Sequence, residues 1–193
     1  EHMFAHTLNV SSRWDRNKTL DGAEVRPVSR KPEPNRVSGM DLRPPRPPLA
    51  ADEKETLVAF LDWHRAVVLD KAGGLTQEQL GQRLEPSTLT LAGIVYHLAL
   101  VEEDWFQVDF LGAELGEPWA SVDWEANRDW EFDVAHTLDP EEVFAAYRAA
   151  CDRSNEIITE AESLDQLAVR ANRDGEHWSR RWIVVRVIEE TAR

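Results

Sequence analysis

The sequence has a single cysteine, Cys151, only two methionines, and no apolar run near the roughly 18 residues that cross a bilayer. A lone thiol forms no internal bridge, which excludes a disulfide framework and leads to the expectation of a reducing, cytoplasmic setting. The first residues lack the basic-then-apolar layout of a secretory leader, so neither export nor membrane insertion is expected. Positive charge is also scarce where a nucleic acid would need it. Between Glu102 and Glu142, Arg128 stands alone against fourteen acidic residues, in a chain whose formal charge is -14. Such a field repels phosphates and argues against a nucleic-acid partner.

Proline is rare over most of the chain and crowded at its beginning. Seven of the ten prolines fall within residues 1–50 (Pro27, Pro32, Pro34, Pro44, Pro45, Pro47 and Pro48), among few periodic apolar positions. That composition cannot bury enough surface to offset chain entropy, and it predicts a disordered or extended N-terminal tail. The stretch from Arg43 to Pro48 would also suit a polyproline-binding partner, although a leader or linker is the simpler reading. Met40 is a candidate start, with what precedes it an upstream extension.

Residues 51–193 have room for one domain that buries about two-thirds of its unfolded surface. Leu57, Phe60, Leu61, His64 and Val68 recur on one helical face, which predicts a helix over 52–72 closed by Gly73 and Gly74. Thr76 to Leu80 reads as a capped turn. Leu91, Ile94, Val95, Leu98, Val101, Trp105 and Leu111 predict a second helix over 89–113. Residues 114–138, rich in acids and aromatics and without sustained period, read as a long crossover that contributes no core element. Asp139, Pro140, Glu141 and Glu142 then stand in N-terminal capping order, and Val143, Tyr147, Ala150, Ser154, Ile157 and Ala161 carry a third helix to about 163. Ser179 is a plausible cap for a fourth, begun by Trp182, Val185, Ile188 and Ala192. Each apolar stripe needs a partner, so the fold expected is all-α: an antiparallel four-helix bundle with the crossover between helices 2 and 3.

His97 lies mid-helix among core positions. A neutral imidazole there is either a hydrogen-bonded core residue or a metal ligand, and spacing alone leaves both open. His64, on the stripe of the first helix, reads as a satisfied buried histidine. His2, His6, His136 and His177 fall in the tail and links, where surface roles are expected. Cys151 has no basic neighbour in sequence to activate it and reads as an inert buried thiol. Four of the eight tryptophans, Trp105, Trp119, Trp124 and Trp130, punctuate the acidic segment as crossover anchors or as the wall of a pocket or interface.

The segments Phe60 to Arg65, Gly93 to Glu102 followed by Trp105 and Phe106, Asp139-Pro140 ahead of Phe144 to Tyr147, and Arg181 to Ile183 through Ile188 to Arg193 together resemble the DinB-like superfamily. Within it they are most similar to the branch of unknown function grouped with mycothiol-dependent S-transferases, and the likeness covers residues 47–193. The resemblance implies a four-helix bundle holding a divalent metal, zinc or alternatively nickel, through one histidine of the second helix and a His-x-x-x-His pair of the fourth. His97 matches the first ligand. The pair would follow Arg193, so the expectation is of a bundle cut short at its C-terminus, metal-free and inactive as it stands. Glu190, one turn ahead of the missing pair, is a candidate for orienting a ligand, or else one of a solvated pair with Glu189. In the related maleylpyruvate isomerases a carboxylate serves within the metal set. Trp105, two turns beyond His97, is the expected substrate-binding residue. The function so implied is conjugation of small electrophiles to a low-molecular-weight thiol, mycothiol, with a homodimer plausible by family analogy. The alternative is a non-catalytic bundle serving interaction or dimerisation.

Overall fold

The computed structural model describes residues 45–83 and 86–193. The expectations for residues 1–44 lie outside the described residues. Helix α1 (Glu53–Ala72) starts where the Asp52 carboxylate accepts the Glu55 amide at 2.8 Å, and stops where Gly73 donates back to Leu69. The short α2 (Gln77–Leu80) carries a full capping box between Thr76 and Gln79.

Thr90 caps α3 (Leu91–Glu103), whose chain continues as a wider π-helical segment, Asp104–Phe110. The predicted helix over 89–113 is thus shorter and changes pitch. The wider turns shift the inward face, because each hydrogen bond now spans five residues. Phe106 and Phe110 are fully buried, whereas Leu111, expected on the stripe, is exposed.

The crossover does contribute to the core, contrary to the expectation. It folds into a 3-10 turn (Trp119–Ser121), helix α4 (Trp130–Val134) and a second 3-10 turn (Ala135–Thr137). Trp119, Trp124 and Ala135 are buried with Tyr96, Ala99 and Val143. The tryptophans form a chain of ring contacts, with Tyr96–Trp119 at 4.5 Å, Trp119–Trp130 at 6.0 Å and Trp124–Trp130 at 6.3 Å between centroids. Large rings with few rotatable bonds can pin an otherwise aperiodic segment onto a helix at small entropic cost. With α5 also packed along it, α3 is buried on nearly every side.

Asp139 and Glu142 close a capping box on α5 (Pro140–Thr159), which ends a turn earlier than predicted. Ser179 caps α6 (Arg180–Ala192). The described residues contain no strand, only an isolated bridge between Leu167 and Ser179 in the α5–α6 link.

Side-chain contacts fix the helix directions. Lys54, at the start of α1, donates to the carbonyls of Thr159 and Ala161 past the end of α5, while Leu69 and Gly73 at its other end face Pro140 and Phe144, so the two run oppositely. Arg181 at the start of α6 pairs with Glu53 at the start of α1, so these run together. Phe106 and Phe110, late in α3, pack with Leu61 and with Ile183, Val184 and Val187, early in α6. No described helix is long and apolar enough to cross a membrane.

Candidate functional site

His97 projects from α3 toward α4 rather than into the centre of the helix assembly. Its Nδ1 lies 2.9 Å from Oε1 of Glu131, and its ring stacks on Phe132 with centroids 4.7 Å apart and planes at 26°. The side chain keeps a quarter of its surface exposed, while Glu131 is only 1% exposed. A carboxylate accepts but does not donate, so opposite an ionised Glu131 the shared proton belongs to Nδ1, and in the neutral ring the lone pair is then at Nε2, directed away from Glu131. The second carboxyl oxygen, Oε2, is buried without a hydrogen-bond partner among the described residues. A neutral imidazole with its far nitrogen open and its near nitrogen held by a carboxylate is the usual state of a ligating histidine. This imidazole therefore fits a metal as one ligand. The described residues contain no group of three or more His, Cys, Asp or Glu that could hold an ion.

Glu131 was not singled out by the sequence. It lies 34 positions from His97 in a stretch crowded with acids, and nothing local distinguishes it from Glu125 or Asp133.

Glu190 lies at the far end of α6, half-buried, in ion pairs with Arg186 and Arg193. Trp105 lies eight residues beyond His97 in the chain. It makes an edge-on contact with Trp178 at 5.2 Å and a tilted one with Trp182 at 5.3 Å, joining α3 to α6. His64 is half-buried against the edge of Trp63, His136 is exposed, and His177 places Nδ1 2.8 Å from the Ala168 carbonyl. An open groove of about 490 Å³ between the end of α1 and the start of α5, lined by Leu69, Leu75, Pro140, Phe144 and Arg148, contains none of the candidate residues.

A second polar group occupies the core. Arg65 on α1 meets Glu102 on α3 through two hydrogen bonds and reaches Asp62 and Asn155 with its remaining nitrogen. Burial alone would lower the Arg65 guanidinium, but the Glu102 carboxylate outweighs it and raises it. Cys151 sits 4.0 Å from the same carboxylate, and burial, reinforced by that charge, pushes its thiol up to about 12. Such a thiol is a poor nucleophile. Tyr147 is fully buried beside it, with the Cys151 thiol as its polar neighbour.

Residues 56–193 match the family model described as Mycothiol-S-transferase. No curated protein and no solved structure matches the chain.

Proposed function

This chain belongs to the mycothiol S-transferase family, and on that premise we propose that the full protein is a metal-dependent S-transferase joining a low-molecular-weight thiol, mycothiol, to small electrophiles. The long helices form a four-helix bundle over residues 51–193 in which α1 and α6 run one way and α3 and α5 the other, a departure from the antiparallel order expected, preceded by the proline-rich tail of residues 1–50. His97 is one ligand of a divalent metal, zinc or alternatively nickel, within the family's three-histidine set. The observation that carries this reading is the hydrogen bond from His97 to a buried carboxylate, which leaves Nε2 available. Helix direction supports it too. Because α6 runs opposite to α3, a continuation of α6 travels toward the half of α3 that bears His97.

A divalent ion at that position supplies Lewis acidity that keeps a thiol sulfur as thiolate at neutral pH. The chain's own residues do the rest. His97 presents a neutral nitrogen, and Glu131 keeps the ring proton on the other side. Glu190, on the same helix as the expected pair, orients a ligand once α6 continues, and Trp105 with Trp178 and Trp182 offers an aromatic wall for an apolar electrophile. No protein nucleophile is needed, in keeping with the inert Cys151.

The test is on full-length protein. It should hold about one divalent ion per chain and conjugate a bacterial low-molecular-weight thiol to an alkylating fluorophore. His97→Ala should lose both the ion and the conjugation. Conjugation that survives His97→Ala undiminished would sink the metal mechanism. A stable full-length protein with neither ion nor transfer would instead be the interaction module.

A further inference from the structure

We propose that Glu131 is the positioning residue for His97, and that Gly93 is the feature of α3 that lets it take that place. The inference rests on the reading of His97 as a metal ligand.

Three observations converge. The first is the burial: Glu131 is 1% exposed, its only ion-pair partner among the described residues is His97, and its second oxygen has no hydrogen-bond partner among them. A buried carboxyl group with one partner is costly, and a leucine would pack there without that cost.

The second is the fixed tautomer. Phe132 fixes the plane of the ring by stacking, and the Nδ1 contact with Glu131 would be lost if the ring flipped within that plane. Nε2 is thereby kept unprotonated and the ring plane is set before any ligand arrives, which lowers the ordering cost of binding.

The third is the cradle. Gly93 lies one turn before His97 on the same face of α3. A Cβ at Gly93 would stand 3.1 Å from the Phe132 ring and 3.3 Å from its Cα, with Thr90 Oγ1 at 3.2 Å. Contacts that tight include backbone, so any side chain would lift α4 by a few tenths of an ångström. The absence of a side chain at Gly93 brings α4 down onto α3 at the level where Glu131 reaches His97. The Trp119, Trp124 and Trp130 contacts hold it there.

The experiment uses full-length protein carrying Glu131→Gln, Glu131→Ala or Gly93→Ala, with two readouts. In metal-free samples, ¹⁵N chemical shifts of the two ring nitrogens report which of them in His97 carries the proton. Zinc affinity is measured separately by competition with a chromophoric chelator. Wild type should carry the proton on Nδ1. Glu131→Ala should give a tautomer mixture and a zinc affinity lower by about 10- to 100-fold. Glu131→Gln, which keeps an accepting oxygen and the packing, should retain the tautomer and fall between the two in affinity, and it remains readable if the alanine variant does not fold. Gly93→Ala should shift both readouts in the direction of Glu131→Ala. A wild-type proton on Nε2, or a folded Glu131→Ala with unchanged zinc affinity, overturns the proposal. Wild-type protein that binds no zinc counts instead against the metal reading of the preceding section, while the tautomer still answers for Glu131.

Discussion

The guanidinium of Arg65 and the carboxylate of Glu102 meet edge to edge, Nε to Oε1 at 2.7 Å and Nη2 to Oε2 at 2.6 Å, with 4% and 1% of their side chains exposed. The pair joins α1 to α3 across the buried interior. Removing one partner leaves the other as an uncompensated buried charge. Glu102→Gln should therefore lower the unfolding free energy by about 3–5 kcal/mol, read from urea titration. Replacing both with apolar residues, Arg65→Met with Glu102→Leu, should cost far less than the two single losses added together. A double variant whose loss equals the sum of the two single losses would show that the pair is not the unit that matters.

Asp104 opens the π-helical segment and is half-buried. Burial is the largest cause that pushes its carboxyl up to about 7; Asp109 and Glu103 add to the shift and Arg170 opposes it. The folded protein thus keeps a proton there over a window in which the unfolded chain has released it. Stability contributed by this group is lost as pH rises from about 4 to about 7. Asp104→Asn should remove that loss: at pH 8 the variant should be more stable by on the order of 1–3 kcal/mol, melting a few degrees higher, with the advantage gone at pH 4. Thermal melts at the two pH values check it, and an advantage independent of pH would contradict the assignment.

Trp119 is 2% exposed and touches both Tyr96 and Trp130. Trp119→Ala should cost about 3–5 kcal/mol. Its more specific signature is local: amide exchange across residues 116–135 should quicken more than exchange in α5. Uniform acceleration throughout the protein would mean that the aromatic chain is not what fastens the crossover.

Cys151 should be nearly inert to alkylation in the native protein at pH 7, since its thiol is buried and pushed up to about 12. Reaction should proceed only through unfolding, so its rate should fall on addition of stabilising osmolyte and jump in denaturant. Rapid native labelling would contradict the buried setting.

The parts of the fold legible in the sequence are those set by local chemistry. Thr76, Asp139 and Ser179 cap their helices by side-chain hydrogen bonds within a few residues, and Gly73 closes α1, whereas Asp52 and Thr90, read as helical, turn out to be caps as well. What could not be read came from distant contacts. The π-helical pitch of Asp104–Phe110 exchanges Leu111 for Phe106 and Phe110 on the inner face, an outcome decided by what α6 offers opposite. The crossover has no period because its order comes from ring contacts between scattered tryptophans. His97 could be named from its place in the helix, but its partner could not, since the pairing with Glu131 exists only once α4 has closed over Gly93.

The seam between α1 and α6 joins Glu53 to Arg181, 128 positions apart in the chain. During synthesis at about 5–20 residues per second, Leu57 and Leu61 therefore wait on the order of ten seconds for their cover to leave the ribosome. For that interval the nascent protein shows a naked greasy flank, and its yield in a cell should depend on chaperone supply more steeply than its finished stability suggests.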